Sequence, residues 1–169
     1  MNIFRSKRPF CIFVDDEPQK ISDFKNELRK RKWDVFLLEF GADADMNLSY
    51  ADIAITFFQK GLDVIPDVII LDMRIPQPTR IPHGHDIEAE AGLYVFSQIM
   101  AINRAQTKAS LGSKLIPVAV LSQYPRHTYE ARINSIVKEN CPESPFRLFS
   151  KDVGAPAFAK AMIEWVQSL

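Results

Sequence analysis

The side chains able to do chemistry in this chain stand at the ends of its apolar runs. Phe10–Val14 leads into Asp15 and Asp16, residues 68–71 into Asp72, 115–121 into Ser122, and 146–149 through Ser150 to Lys151. Three carboxylates brought together repel, and each raises the pKa of the others unless a cation neutralises them. The set offers hard oxygens with no imidazole or thiolate, which selects Mg²⁺, Mn²⁺ or Ca²⁺ over zinc or copper. A hydroxyl donor and a lysine charge beside such an ion complete a cradle for phosphate oxygens. Together they read as a site for phosphoryl transfer by positioning and charge stabilisation.

For these residues to meet, the runs must be neighbouring strands. Short apolar runs alternate with stretches of helical spacing, the signature of βαβ units and a parallel sheet. Strands are predicted at 10–14, 35–40, 68–71, 115–121 and 146–149. Most are unbroken apolar rather than alternating, as helices on both sheet faces require. In such a sheet ligands bind beyond the carboxyl ends of the strands, where the candidate residues lie.

The spacing predicts a first helix after Pro18 with Ile21, Phe24 and Leu28 inward, and a second over 48–60 with Ala51, Ile55 and Phe58 inward, capped by Gly61. A third is predicted over 87–105 on Ile87, Ala91, Tyr94, Val95 and Ile102, and a fourth over 127–138 on Tyr129, Ile133, Ile136 and Val137. A last helix carries Phe158, Met162 and Trp165. Pro76, Pro78, Pro82 and Gly84 forbid regular structure in the connection after Asp72.

The chain has 169 residues, 21 Lys and Arg against 21 Asp and Glu, and 47% hydrophobic content. That suits one domain with a sizeable core and argues against a disordered class. Balanced charge argues against direct nucleic-acid binding. No apolar run approaches the roughly 20 residues of a membrane span. With only Cys11 and Cys141, the expectation is a reduced, cytoplasmic protein, Cys11 packed in a strand and Cys141 in a loop open to oxidation.

The segments Phe13-Val14-Asp15-Asp16-Glu17-Pro18, Ile69-Ile70-Leu71-Asp72-Met73-Arg74-Ile75-Pro76, Val118-Ala119-Val120-Leu121-Ser122 and Phe149-Ser150-Lys151 resemble, in order and over essentially the whole chain, a response-regulator receiver domain of two-component signalling, of the chemotaxis-type single-domain kind. The resemblance implies a flavodoxin-like, doubly wound α/β domain over 1–169 with strand order 2-1-3-4-5. It implies that Asp72 accepts a phosphoryl group from a histidine kinase or phosphotransfer protein. It places Mg²⁺ on Asp15, Asp16, Asp72 and the backbone carbonyl of Arg74, with Asp16 rather than Asp15 as the direct ligand of the first pair. Lys151 would pair with Asp72 and then with the phosphoryl oxygens, and Ser122 would move to bond the phosphate. The output implied is binding to a downstream protein, with no enzymatic activity beyond the domain's own phosphorylation and dephosphorylation. The alternative is a degenerate receiver acting as a phosphorylation-independent interaction module.

The chain departs from the family pattern in four places. The connection from the third strand to the third helix is enlarged, at about 74–91, so that Gly92 stands where the family places a glycine soon after the proline. Gln123 follows the hydroxyl position in place of a small residue, Asp152 follows Lys151 in place of proline, and Leu148 replaces an aromatic switch residue. His83, His85, Asp86, Glu88 and Glu90 in the long loop read as a solvated acidic segment leading into a helix N-terminus. The run Arg29-Lys30-Arg31-Lys32 reads as a helix C-terminus, where cations suit the dipole. Phe158, Trp165 and Leu169 offer a homodimer face on the last helix.

Overall fold

Every second residue of the central strands packs on the same side of the sheet, and this alternation divides the core in two. A computed structural model of the chain describes residues 8–17, 19, 21–38, 50–74, 87–109, 114–123 and 127–169. They form β1 (Phe10–Val14), α1 (Ser22–Lys30), β2 (Asp34–Leu38), α2 (Tyr50–Gln59), β3 (Val68–Asp72), α3 (Ile87–Ala109), β4 (Val118–Ser122), α4 (His127–Asn140), β5 (Phe146–Ser150) and α5 (Ala155–Gln167). The strands make one parallel sheet in the order β2-β1-β3-β4-β5, the doubly wound arrangement read from the sequence.

On one face Ile12, Val14, Ile69, Leu71, Val118 and Val120 meet Phe58 of α2, Phe96 and Ile99 of α3, and Ile133 of α4. On the other, Cys11, Phe13, Val68, Ile70, Ala119 and Leu121 meet Leu28 of α1 and Phe158 and Met162 of α5. With both faces covered, β1, β3 and β4 are apolar almost throughout, so their sequences show no polar alternation.

Element boundaries depart from the sequence reading where hydrogen bonding decides. β4 begins at Val118 rather than 115, because Pro117 has no N–H for the ladder and contributes only its carbonyl, which accepts from Ile69 N–H at 2.9 Å. β2 begins at Asp34, and residues 39–40, predicted to end it, lie outside the described residues. Residues 48–49 of the predicted second helix lie outside them as well, while Gly61 caps that helix at φ 84°, the left-handed geometry that favours glycine. In α3 Tyr94 is 41% exposed, contrary to its predicted inward position; Phe96 and Ile99 occupy the stripe instead. α3 also runs to Ala109 rather than 105. Its buried Asn103 clamps the entry to β4, accepting from Ile116 N–H at 2.8 Å and donating to Ile116 O at 2.9 Å and to Ser144 Oγ at 2.7 Å.

Residues 87–91 belong to α3, so the connection from β3 is shorter than the expected 74–91; residues 75–86, with Arg80, His83, His85 and Asp86, lie outside the described residues. Gly92 lies within α3, as the predicted 87–105 helix has it, where the helix crosses the backbone just after Asp72. A Cβ on Gly92 would stand 2.7 Å from Met73 Cα and 2.9 Å from its carbonyl carbon. Phe158 is fully buried, meeting Phe24 and Phe149 edge-on at 5.4 and 5.3 Å, so it belongs to the core and not to a homodimer face. Cys141 is buried rather than open in a loop, and burial pushes the Cys11 thiol up to about 12, which makes it inert packing. No helix of the described residues is long and apolar enough to cross a membrane.

Gly92→Ala should therefore cost more than a helical Gly→Ala change would suggest, because backbone rather than a flexible side chain must yield. The expected loss is about 1–3 kcal/mol, read as a drop in the urea midpoint with an unchanged m-value.

Candidate functional site

β1 is flanked by β2 on one side and β3 on the other, so the connections leaving their carboxyl ends diverge and open a crevice there. Parallel register fills it: Val14 pairs with Leu71, which sets the next residues, Asp15 and Asp72, side by side at about one strand spacing of 4.8 Å. Asp16 joins them, and the three residues each offer a carboxylate oxygen within 4.8 Å of the others. Asp15 and Asp72 are 2% and 4% exposed, and Asp16 is half-buried.

Lys151 lies beyond the far edge strand and spans the intervening strands with its long stem. Its Nζ stands 2.7 Å from Asp72 Oδ2 and 3.1 Å from Asp15 Oδ2, one ammonium shared by two carboxylates. The second oxygens of that pair accept main-chain donors, Asp72 Oδ1 from Arg74 N–H at 3.2 Å and Asp15 Oδ1 from Glu17 N–H at 2.8 Å. Ser122 closes β4 beside Ser150 of β5, one residue past the register partner of Asp72, and is buried.

The turn after β5 forms without proline. Ser150 Oγ accepts from Asp152 N–H at 3.1 Å and caps a 3-10 turn over Lys151–Val153, and the Lys151–Asp152 bond is trans. Gln123 is exposed, and Leu148 is half-buried against the α2–α3–α4 core.

The charge balance is unfavourable as it stands. Burial, followed by the opposing pulls of Lys151 and Asp15, leaves the Asp72 carboxyl pushed up to about 6. Burial and then Asp15 also raise Asp16. Burial works against the Lys151 charge, but Asp72 and Asp15 outweigh it and hold the ammonium above its usual range. One cation for three clustered carboxylates leaves a deficit that a hard divalent ion would remove, and the donor set is all oxygen. Asp15, Asp16 and Asp72 therefore fit such an ion.

The sequence reading brought together Asp15, Asp16, Asp72, Ser122 and Lys151, and the fold places all five at the same edge. It missed Tyr50, whose hydroxyl bonds the Asp15 main chain. No local pattern marks a tyrosine opening a helix as part of a site that lies 35 residues away.

No family model and no curated protein sequence matches the chain. Solved structures do, over nearly its whole length. A response regulator from Chloroflexus aurantiacus is 14% identical with a TM-score of 0.58, covering 96% of this chain and 100% of that one. A response regulator from Thermotoga maritima is 18% identical, with a TM-score of 0.55 and coverages of 95% and 99%. The receiver domain of the sensor histidine kinase PA1611 from Pseudomonas aeruginosa, solved with magnesium coordinated in its active-site cleft, is 15% identical, with a TM-score of 0.53 and coverages of 95% and 99%. The chain has a five-stranded, flavodoxin-like α/β fold. More narrowly, it has the fold of a response-regulator receiver domain.

The raised Asp72 pKa fixes a sign. The folded chain holds this proton more tightly than the unfolded chain does, so the contribution is full below about pH 4 and is lost as pH rises through about 6. In chelator, Asp72→Asn should be more stable than the wild type at pH 7.5 by on the order of 1–3 kcal/mol. The gap should close below about pH 4 in urea titrations, and Mg²⁺ should raise the wild-type midpoint more than that of the variant.

Proposed function

We propose that this chain is a phosphoacceptor receiver that takes a phosphoryl group on Asp72 from a histidine kinase or phosphotransfer protein and signals by binding a downstream protein. The observation carrying this reading is the Lys151 ammonium shared between buried Asp72 and Asp15, with half-buried Asp16 in the same cluster. Asp15, Asp16, Asp72 and the Arg74 carbonyl would hold Mg²⁺, which when bound supplies charge compensation for the acids and for the incoming phosphoryl oxygens.

The chain's own residues do the rest by position. Ionised Asp72 attacks phosphorus; the phosphorus–nitrogen bond of the donor breaks with its electron pair leaving on the imidazole, and an acyl phosphate remains. Lys151, freed from the Asp72 oxygen, follows the charge onto the phosphoryl group. Ser122, one strand over, donates its hydroxyl to a phosphoryl oxygen, and that movement biases the surface presented to a partner. Such a domain promotes only its own phosphorylation and dephosphorylation.

Incubation with a small acyl-phosphate donor and Mg²⁺ should give a single phosphoryl adduct by intact mass, labile to hydroxylamine. Asp72→Asn should give none, and an adduct surviving that change would overturn the assignment. Lys151→Ala should form the adduct about 100-fold more slowly, the order seen when one preorganised charge is removed from a developing anion.

A further inference from the structure

Asp15 lies one residue past the last ladder pairs of β1, Val14 with Leu38 on one side and with Leu71 on the other. A buried main-chain donor at such a place needs an acceptor from elsewhere. It finds the Tyr50 phenol: Asp15 N–H donates to Tyr50 Oη at 3.0 Å, and the hydroxyl donates onward to the Leu38 carbonyl. Tyr50 is the first residue of α2 and is 2% exposed, its ring packed in the same apolar cluster as Val14, Leu38 and Leu71. One side chain thus ties together the carboxyl ends of β1 and β2 and the start of α2, directly behind the carboxylate that faces Asp72 and Lys151.

We infer that Tyr50 is a positioning residue for the acid site: by holding the Asp15 main chain to β2, it sets where the Asp15 carboxylate stands against Asp16 and Asp72, the three acids that would hold a divalent cation. Its bearing on phosphoryl transfer rests on the receiver reading; its bearing on metal affinity does not. Mg²⁺ tolerates little error in ligand distance, so a main-chain shift of a few tenths of an ångström at Asp15 weakens binding even where the fold survives. Phenylalanine keeps the ring and the packing but serves neither Asp15 N–H nor Leu38 O. Partners lying behind metal ligands commonly account for 10- to 100-fold in affinity.

A residue that merely stabilised the fold would lower stability without singling out the metal. Asn103 supplies the control, because its buried amide clamps Ile116 and Ser144 beyond the amino end of β4, away from the acids. Mn²⁺ titrations of the full chain should show Tyr50→Phe binding about 10-fold more weakly than the wild type. Asn103→Ala should stay within about twofold, at a comparable loss of urea midpoint. With a small phosphodonor, Tyr50→Phe should need more Mg²⁺ for half-maximal adduct formation yet approach the wild-type rate at saturating Mg²⁺.

Coupling between sites is reciprocal, so Mg²⁺ should slow hydrogen exchange of the Asp15 amide in the wild type, a readout that survives if Tyr50→Phe does not fold. Equal Mn²⁺ affinity with and without the hydroxyl, affinity losses that merely track stability in both variants, or an Asp15 amide indifferent to Mg²⁺ would each overturn the inference. A wild type that binds Mn²⁺ but takes no phosphoryl group would overturn the receiver reading and leave the Tyr50 role standing. A wild type that binds neither ion would overturn both.

Discussion

Two carboxylates at the carboxyl ends of adjacent parallel strands impose the constraint on which the rest of the structure turns. The register that pairs Val14 with Leu71 leaves no choice but to set Asp15 beside Asp72, with Asp16 close by. Like charges at that spacing, nearly out of water, are costly to keep ionised. Lys151 meets part of the cost from the far side of the sheet, and it can do so only because its stem is long enough to cross from the end of β5. Burial and the neighbouring acid together outweigh that single ammonium at Asp72, so its carboxyl stays above the usual carboxylate range.

Around this edge the main chain is fixed by contacts that carry no charge. Gly92 brings α3 directly onto the backbone of Met73, so the residue following Asp72 has little freedom to move. Ser150 caps the turn carrying Lys151, doing by hydrogen bonding what a proline would do by ring closure. At the opposite end of the sheet, Asn103 locks the approach to β4. The two apolar layers hold the strands in register, and these polar and steric contacts set where each strand end points.

Much of this was legible in the sequence because it is local. Apolar runs of strand length between segments of helical spacing identified β1, β3 and β5 to within a residue, and the residues closing the runs are those the fold gathers at one edge. The failures have physical causes. Pro117 sits in an apolar run and reads as strand until its missing N–H is counted against the ladder. Tyr94 is apolar enough to suit an inward position, but the helix phase set by Phe96 and Ile99 turns it outward. Phe158 looked available on an amphipathic helix, and only the packing of α5 against α1 and β5 shows it enclosed by Phe24 and Phe149.

The sequence by itself determined which groups are present at the strand ends and that they are hard oxygen donors with one hydroxyl and one ammonium. Residue type and spacing along the chain are enough for that. Only the tertiary structure decided that Lys151 bridges Asp15 and Asp72, that Asp72 is a strained acid pushed up to about 6, and that Tyr50 holds the Asp15 main chain. Those depend on burial and on distances between residues 35 to 136 positions apart. Such quantities exist only once strands from distant parts of the chain lie side by side and water has been excluded between them.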